Sequence, residues 1–397
     1  MGCTNTVGSA RTVTLDTAKQ LARQALDAGN HAEAQAIANK ILSAAPMDPA
    51  AYLLVAQADL SVGRFAVARL LVNRALALAP GFEPARNLNN QLDKIAARFA
   101  TDEYQSSYLV LRSRHLEYPR NIQLETSGRC NAKCTFCPHE QLDRKSQVMS
   151  DALYEKIIRE ASAIPAGSAV KFILNVVNEP FMDQKIFERI ALLNREIPHA
   201  TIGIYTNLNV MPPRFFEKLK EVRRLTYFNI SFNAANKAEY EETMRIDFNR
   251  TVSNIRKLLT ENRTQGYFAS PVALSRISSL DERDARFVEE CTQVFSGFEY
   301  GRDFILECKS RANWLGQNSS SQTSIPFLEP CNQWLNISVL CNGIVPHCCM
   351  DARGDFPFGN ANEQSILEIY NSPRFRNYRR TVAARETTYP CNTCALV

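Results

Sequence analysis

Between residues 120 and 316, short strand-like apolar runs alternate with longer amphipathic helical stretches. The predicted strands cover residues 122–126, 170–176, 200–205, 226–232, 267–274 and 303–308, and the predicted helices cover 151–163, 183–196, 213–222, 251–262 and 282–295. Strands that alternate with helices in this way form a parallel sheet joined by crossover helices. The pattern therefore predicts an α/β fold for this part of the chain.

Residues 14–84 contain an internal repeat with an offset of 34 positions. The matched pairs are Gly29 and Gly63, Ala34 and Ala68, Leu42 and Leu76, and Pro46 and Pro80. Small residues let two helices approach closely, and proline ends the second helix. The repeat resembles the tetratricopeptide repeat (TPR), with an alanine-rich helical bundle as the alternative. Because two repeats and a closing helix fall short of a free-standing array, we expect the module to pack against the next domain or a partner.

These patterns divide the chain into six segments. We predict a disordered N-terminus at 1–13, an all-α TPR-like module at 14–100, a linker at 101–119, the α/β domain at 120–316, a second linker at 317–329 and a small cysteine-rich domain at 330–397. The last segment is short and lacks long apolar periodicity, so we expect a metal to stabilise its fold.

The composition excludes several classes of protein. Of the 397 residues, 45% are apolar and 22% are charged, which excludes a wholly disordered or collagen-like chain. The net charge of +5 is too small to predict nucleic-acid binding, and no apolar run approaches the ~18 residues of a membrane span. Most of the 12 cysteines fall in two clusters, which indicates metal ligands in a reducing cytoplasm rather than a disulfide scaffold.

The first cysteine cluster, Cys130, Cys134 and Cys137, follows the first predicted strand with the spacing C-x3-C-x2-C. Thiolates are soft ligands that favour iron–sulfur clusters or zinc. Three cysteines bind three irons of a cubane and leave the fourth iron open, as a catalytic metal site requires. A zinc site that uses His139 as the fourth ligand is the alternative.

This loop, with Phe136 before its last cysteine, resembles the signature of the radical S-adenosylmethionine (SAM) superfamily. The resemblance covers about residues 121–316 and implies a partial (β/α)6 TIM-like barrel with its site at the C-terminal strand ends. It also implies that Cys130, Cys134 and Cys137 hold a [4Fe–4S] cluster that binds SAM.

The resemblance further implies a set of SAM contacts, although parts of the family pattern are altered here. Val177, Asn178, Glu179 and Pro180 stand where the family has Gly-Gly-Glu-Pro, so Glu179 is expected to contact the SAM amino group. The implied SAM-binding residues are Phe136, Asn178, Glu179, Asn207, Ser231, Asn233 and Arg276. As alternatives, Glu179 could cap the next helix and Arg276 could be a solvated surface residue.

The second cysteine cluster lies near the C-terminus and comprises Cys331, Cys348, Cys349, Cys391 and Cys394. The spacing Cys331-x11-Gly343-x4-Cys348, followed by Cys391-x2-Cys394, resembles the SPASM/twitch extension of radical SAM enzymes and implies one auxiliary [4Fe–4S] cluster. The spacing leaves open whether Cys348 or Cys349 is the ligand. A zinc ribbon that uses the same cysteines is the alternative.

Two further cysteines lie outside these clusters, Cys291 in a predicted helix and Cys308 in a predicted strand. Buried, non-ligand thiols are the simple interpretation. The functional alternative makes Cys308 the catalytic candidate, because some epimerase relatives use a cysteine to donate a hydrogen atom to a substrate radical. The arginines at the C-terminus, among them Arg379 and Arg385, are expected to form a solvated helix face.

The resemblance implies that the protein cleaves SAM reductively to a 5′-deoxyadenosyl radical, which abstracts hydrogen from a substrate. An auxiliary cluster held by four cysteines would accept or relay an electron, which suits a net oxidation. Fold and cofactor do not identify the substrate, but the concave surface of helical repeats favours a peptide or carrier-borne substrate. A flavodoxin or ferredoxin is the expected electron donor. The alternatives are a dehydrogenase or oxidase of a free sugar or aminocyclitol, and a non-catalytic metal-binding scaffold.

Overall fold

The computed structural model describes residues 14–61, 65–99, 111–279, 281–309, 311–317, 331–380, 385 and 388–394. The described residues divide into two compact units, one before residue 106 and one from residue 111 onward. The predicted disordered N-terminus, Gly63 of the repeat, and most of the two predicted linkers lie outside the described residues. Among the helices in the described part of the chain, none has the length and apolar character needed to cross a bilayer.

The first unit consists of helices that pack in chain order. They are α1 (Leu15–Asp27), α2 (His31–Ala44), α3 (Pro49–Ser61), α4 (Phe65–Leu78) and α5 (Glu83–Phe99). Alanines make the closest contacts: Ala38, Ala56 and Ala68 are fully buried between helices. This arrangement agrees with the predicted helical module, and its assignment to the TPR class stays a prediction.

The second unit is built on a seven-stranded parallel sheet with the strand order β6-β5-β4-β3-β2-β1-β7. The strands are β1 (Asn121–Leu124), β2 (Lys171–Ile173), β3 (Thr201–Thr206), β4 (Leu225–Ser231), β5 (Val272–Ile277), β6 (Phe304–Lys309) and β7 (Asn336–Val339). The crossover helices are α6 (Asp151–Ala161), α7 (Ile186–Glu196), α8 (Phe215–Leu219), α9 (Lys237–Met244), α10 (Phe248–Gln265) and α11 (Glu282–Val294). The α/β prediction, with six strands joined by helices, is confirmed.

Strand β5 begins later than predicted, at Val272 rather than at residue 267. Helix α10 runs to Gln265 and ends at Gly266, whose φ of +64° suits glycine. Pro271 then precedes the strand and has no N–H for a sheet ladder. The aromatic residues Tyr267 and Phe268, which suggested a strand, instead pack against the core.

Strand β7 connects the cysteine-rich segment at 330–397 to the main sheet. It pairs in parallel with β1 from Asn336↔Asn121 to Val339↔Leu124, so the cysteine-rich segment extends the main sheet. Ile337 and Val339 are buried in the same core as β1, and a strand of four residues is too short for periodicity to reveal. The segment continues as the hairpin β8 (Ile344–Val345) and β9 (Gly359–Asn360), then α12 (Ile366–Asn371) and α13 (Pro373–Arg380).

The two faces of the main sheet differ in chemistry. Apolar side chains such as Phe172, Ile204 and Phe228 face the helices and form the core. Because side chains alternate along a strand, the other face presents polar groups, which we call the interior face. It carries Gln123, Tyr205, Tyr227, Asn229, Ser231, Ser275, Glu307, Lys309 and Ser338. A polar interior suits the binding of a ligand better than the packing of another layer.

Candidate functional site

The first cysteine cluster lies in the loop that leaves the C-terminal end of β1. The backbone N–H of Ala132 donates to Cys130 Sγ at 3.4 Å, so the loop turns back on its first thiol. The loop is attached to the end of α9 by two backbone hydrogen bonds, from Lys133 to Met244 (3.2 Å) and from Thr135 to Thr243 (3.0 Å). These bonds fix the three thiols at the same end of the sheet as the other predicted site residues.

The three thiols are half-buried and lie close together. The pKa of Cys130 is raised to about 12, mainly because the thiol is shielded from water and secondly because the negative charge of Glu179 lies nearby. Burial and then the neighbouring thiols Cys137 and Cys130 raise the pKa of Cys134 well above its ordinary value. Thiolates this close repel one another unless a cation is bound between them. The donor set therefore fits a soft metal centre such as an iron–sulfur cluster.

Within the described ranges, no three His, Cys, Asp or Glu side chains are arranged as ligands of a single metal ion. His139, the fourth ligand that a zinc site in the first loop would need, contacts the Gly128 carbonyl through Nε2 at 2.7 Å.

Glu179 lies beyond the end of β2 and is 2% exposed. Its carboxylate accepts hydrogen bonds from Thr206 Oγ1 (2.6 Å), the Asn207 N–H (2.7 Å) and the Phe181 N–H (3.2 Å). These use three of about four acceptor positions of a carboxylate, and burial raises the pKa of Glu179 to about 7 in spite of them. Glu179 caps the short 3-10 helix Pro180–Met182 and not the predicted helix, which begins at Ile186 after Lys185. One acceptor position remains for a ligand amino group.

Asn178 replaces the second glycine of the family pattern and brings a side chain to the site. Its Oδ1 accepts from the Val176 N–H at 3.0 Å. Its Nδ2 is buried and, within the described part of the structure, has no hydrogen-bond partner. The same is true of Thr126 Oγ1 and Asn175 Oδ1, which follow β1 and β2. Unpartnered buried polar atoms are costly, so these groups fit a site that a polar ligand completes.

Asn207 connects the end of β3 to the cysteine loop. Its Nδ2 donates to Asn131 Oδ1 at 2.9 Å, and Asn131 Nδ2 donates to Asn209 Oδ1 at 3.3 Å. Asn209 continues the network to Thr251 Oγ1 at 3.0 Å. Asn131 and Asn209 are not among the predicted site residues, although Asn131 follows Cys130 directly and Asn209 stands two positions after Asn207.

The predicted residues at the end of β4, Ser231 and Asn233, have different surroundings. Ser231 is half-buried on the interior face. Asn233 has a φ of +59°, and its Oδ1 accepts from the Ile277 N–H at 2.8 Å. Its Nδ2 lies 3.0 Å from Met244 Sδ, which in turn lies 3.5 Å from Cys134 Sγ. Met244 thus joins Asn233 to the cysteine loop.

In the second cysteine cluster Cys349 and Cys391 are buried, and the other three cysteines are half-buried. Burial and then the thiols of Cys349, Cys394 and Cys331 raise the pKa of Cys348 well above its ordinary value. Burial, followed by the thiol of Cys331, raises the pKa of Cys394 to about 12. Cys391 accepts a hydrogen bond from Trp334 Nε1 at 3.4 Å. These contacts bring the predicted thiols into one buried group.

Comparison with known protein families identifies both cysteine regions. Residues 124–268 match the family model described as the radical SAM superfamily. Residues 331–395 match the model SPASM, described as an iron–sulfur cluster-binding domain. The chain carries a radical SAM domain and a SPASM domain. These domains imply SAM and [4Fe–4S] clusters as cofactors, including an auxiliary cluster in the SPASM domain.

Individual proteins resemble this chain more distantly. The S-adenosyl-L-methionine-dependent 2-deoxy-scyllo-inosamine dehydrogenase of Niallia circulans is 20% identical over 260 residues, which cover 65% of this chain and 85% of that protein. A probable GTP 3′,8-cyclase of Methanothermobacter thermautotrophicus is 28% identical over 138 residues, which cover 35% of this chain and 43% of that protein.

Solved structures also align with the chain. Streptococcus suis SuiB bound to precursor peptide SuiA aligns with a TM-score of 0.49 and 13% identity, covering 87% of this chain and 85% of that chain. BtrN in complex with AdoMet and 2-DOIA aligns with a TM-score of 0.47 and 17% identity, covering 70% of this chain and 93% of that chain.

Arg276, predicted to contact SAM, occupies the helix-facing side of β5 in the radical SAM domain. It is only 3% exposed, so the alternative of a solvated surface arginine is wrong. Its guanidinium donates to Asp284 (2.8 Å) and Glu239 (3.2 Å) and to the Asn233 carbonyl (2.9 Å). These partners direct the charge of Arg276 toward the helices, so the structure does not bring it to the interior face.

Cys308 occupies the same side of the sheet, because it pairs with Arg276 in register and alternates with Glu307 and Lys309. Its thiol is exposed, which contradicts the expectation of a buried thiol, whereas Cys291 is fully buried as expected. The structure therefore does not place Cys308 with the radical SAM cysteines or with the interior face.

The expectation that the C-terminal arginines form a solvated helix face is wrong for Arg379 and Arg385. Arg379 is fully buried, stacks on the Tyr370 ring at 3.6 Å, and donates to backbone carbonyls of Tyr370 and Leu116. Arg385 is 8% exposed and hydrogen-bonds the thiol of Cys331. A spacing pattern does not reveal which charged side chains are buried by tertiary packing.

Proposed function

We propose that this chain is an enzyme that cleaves SAM reductively and abstracts hydrogen from a peptide or carrier-borne substrate in a net oxidation. The observation that carries the proposal is the loop that brings Cys130, Cys134 and Cys137 together, with the Glu179 carboxylate in electrostatic reach of Cys130. When bound, SAM on a [4Fe–4S] cluster supplies 5′-deoxyadenosyl radical chemistry. The matched radical SAM and SPASM models support this proposal over a non-catalytic scaffold.

The residues around the loop would bind and orient SAM. Glu179 has one acceptor position left and would accept a hydrogen bond from the SAM amino group. Asn178 Nδ2, a buried donor with no partner among the described residues, would donate to an oxygen of the ligand. Asn207 would act indirectly, because its side chain holds the cysteine loop through Asn131. Protein groups of this kind bind and orient a cofactor that carries out the chemistry.

The interior face would bind the substrate beside this site. Tyr227 donates to Glu307 at 2.6 Å, and the Lys309 ammonium lies 3.3 Å from the same carboxylate and 5.0 Å from the centre of the Tyr205 ring. Asn229 and Ser275 add a further hydrogen-bonded pair at 3.0 Å. This face offers donors, acceptors and aromatic surface to a polar substrate.

The helical module supports a peptide or protein-borne substrate, because such modules present surfaces for extended partners. A second candidate is the oxidation of a free sugar or aminocyclitol, which the relative from Niallia circulans favours because the match covers 85% of it. The polar interior face suits both substrate classes. A flavodoxin or ferredoxin would supply the electron for SAM cleavage.

The test is reductive SAM cleavage by anaerobically reconstituted protein with dithionite. Cys130→Ala should reduce 5′-deoxyadenosine formation to the background without enzyme, because the cluster loses a ligand. The control is Cys291→Ala, which removes a buried thiol outside both cysteine groups and should retain cleavage. Formation of 5′-deoxyadenosine by Cys130→Ala at the wild-type rate would refute the proposal.

A further inference from the structure

The auxiliary cysteine group is surrounded by hydrogen-bond donors that no part of the proposed function requires. Trp334 is 1% exposed, and its Nε1–H donates to Cys391 Sγ at 3.4 Å. His347 is 1% exposed, and its Nε2 lies 3.1 Å from the same sulfur. Two ring nitrogens from different segments of the chain therefore converge on a single thiol.

The contact between His347 Nε2 and Cys391 Sγ assigns the tautomer of the ring when Cys391 ligates a cluster. The ligating thiolate then has no proton to donate, so Nε2 carries the hydrogen and is the donor in this pair. Nδ1 is buried and has no hydrogen-bond partner within the described residues, so no other group competes for the ring. The ring itself is held by stacking on Phe358 at 5.0 Å and by an edge contact with Tyr378 at 5.0 Å.

Arg385 adds a positive charge to the same group. It hydrogen-bonds Cys331, and its charge acts on Cys391 and Cys394 as well. The side chain is 8% exposed, so water screens this charge only weakly. Arg379, six positions earlier in the sequence, donates to backbone carbonyls of Leu116 and Tyr370.

We propose that Trp334, His347 and Arg385 are positioning residues that raise the reduction potential of the auxiliary cluster. Reduction adds negative charge that spreads onto the ligand sulfurs. N–H donors and a guanidinium beside those sulfurs stabilise the reduced form more than the oxidised form. A raised potential suits a cluster that accepts electrons, as the oxidation of a substrate requires. The inference therefore rests on the proposed function.

The test measures the midpoint potential of the auxiliary cluster by a redox titration followed by electron paramagnetic resonance. It uses the full-length protein with both clusters reconstituted, and the SAM-binding cluster is the internal reference. Trp334→Phe and His347→Phe each remove one donor and keep an aromatic ring. At a fixed potential, each variant should have a ratio of reduced to oxidised cluster about tenfold lower than the wild type. For one electron, this corresponds to a midpoint potential that is about 59 mV more negative.

Arg385→Gln removes the charge and should shift the midpoint in the same direction, whereas Arg385→Lys keeps the charge and should restore most of the potential. The matched control is Tyr378→Phe, because Tyr378 packs against both rings but donates its hydroxyl to the Tyr389 carbonyl at 2.9 Å. Its midpoint should equal that of the wild type.

Two results would overturn the inference in distinguishable ways. Unchanged midpoints in Trp334→Phe, His347→Phe and Arg385→Gln, with the iron and sulfide of two clusters present, would refute the tuning role alone. Wild-type protein that binds only the first cluster would refute the auxiliary site itself, and the tuning role with it.

Discussion

Gly343 illustrates how a single residue positions the auxiliary cysteine group. Its φ is +91°, a conformation that disfavours any residue with a Cβ. A Cβ at this position would also clash with Asn362 Nδ2, and the Gly343 carbonyl accepts from the Ala361 N–H at 2.7 Å. The turn therefore needs glycine in order to start the hairpin that leads to Cys348 and Cys349.

At the same scale, the surroundings of the two adjacent cysteines predict which one binds the auxiliary cluster. Cys348 interacts with the thiols of Cys349, Cys394 and Cys331. Cys349 also interacts with Cys331, but its thiol contacts Gln333 Oε1 at 3.6 Å and hydrogen-bonds Gln123 on the interior face. We expect Cys348→Ala to lose about half of the bound iron and sulfide, because one of two clusters is lost.

Cys349→Ala is the matched control and should keep the full iron content and the visible spectrum of the wild type. Iron and sulfide are measured chemically after anaerobic reconstitution. If Cys349→Ala lost the iron and Cys348→Ala kept it, the assignment of the ligand would be reversed.

At the scale of secondary-structure elements, a buried ion pair joins the ends of three strands. Glu125 follows β1 and is fully buried. Its carboxylate accepts from Arg144 Nε at 2.6 Å and from its terminal nitrogen at 3.0 Å. It also accepts from the N–H groups of Val177 after β2 and Cys341 after β7, both at 3.4 Å. This pair attaches the SPASM segment to the strand ends that carry the first cysteine loop.

Arg144→Met should lower the free energy of unfolding by about 3–5 kcal/mol, because it leaves a buried carboxylate without its partner. The measurement is urea unfolding of the holoprotein under anaerobic conditions. Arg195→Met is the control: it breaks an ion pair with Glu196 whose side chains are 68% and 44% exposed, so its effect should be small. Equal midpoints for the two variants would contradict the structural role of Arg144.

At the scale of the whole molecule, both cysteine groups belong to the second compact unit. The residues that contact them also come from this unit, from β1 through the SPASM segment. The chemistry and the helical module are therefore separable in principle. The module would then affect the choice of substrate rather than the cleavage of SAM.

Deletion of residues 1–100 tests this separation. The truncated protein should keep the iron content and the dithionite-driven formation of 5′-deoxyadenosine, because no ligand or SAM-binding residue is removed. If the module recruits a peptide or carrier, KM for that substrate should rise while kcat stays the same. An unchanged KM would exclude recruitment, and loss of iron would show that the module stabilises the second unit.

Much of the fold could be predicted because its elements are locally encoded. The strands β1 to β4 and β6 lie within a few residues of their predicted positions, since each is a short apolar run between helical stretches. Strand β7 could not be predicted, because its four residues gain their stability only by pairing with β1, which is more than 200 residues distant in the chain. Arg385 was misjudged for the same reason.

The sequence by itself determined the cysteine spacings, the alternation of strands and helices, and therefore the radical SAM and SPASM character of the chain. Ligand spacing within a loop is a local property, so it can be recognised in the sequence without knowledge of the fold. Only the tertiary structure decided the surroundings of each side chain: it directed Arg276 and Cys308 to the helix-facing side of the sheet, and it gathered Trp334, His347 and Arg385 around the auxiliary thiols. These outcomes depend on which distant segments pack together, and burial and pairing of that kind have no local signal.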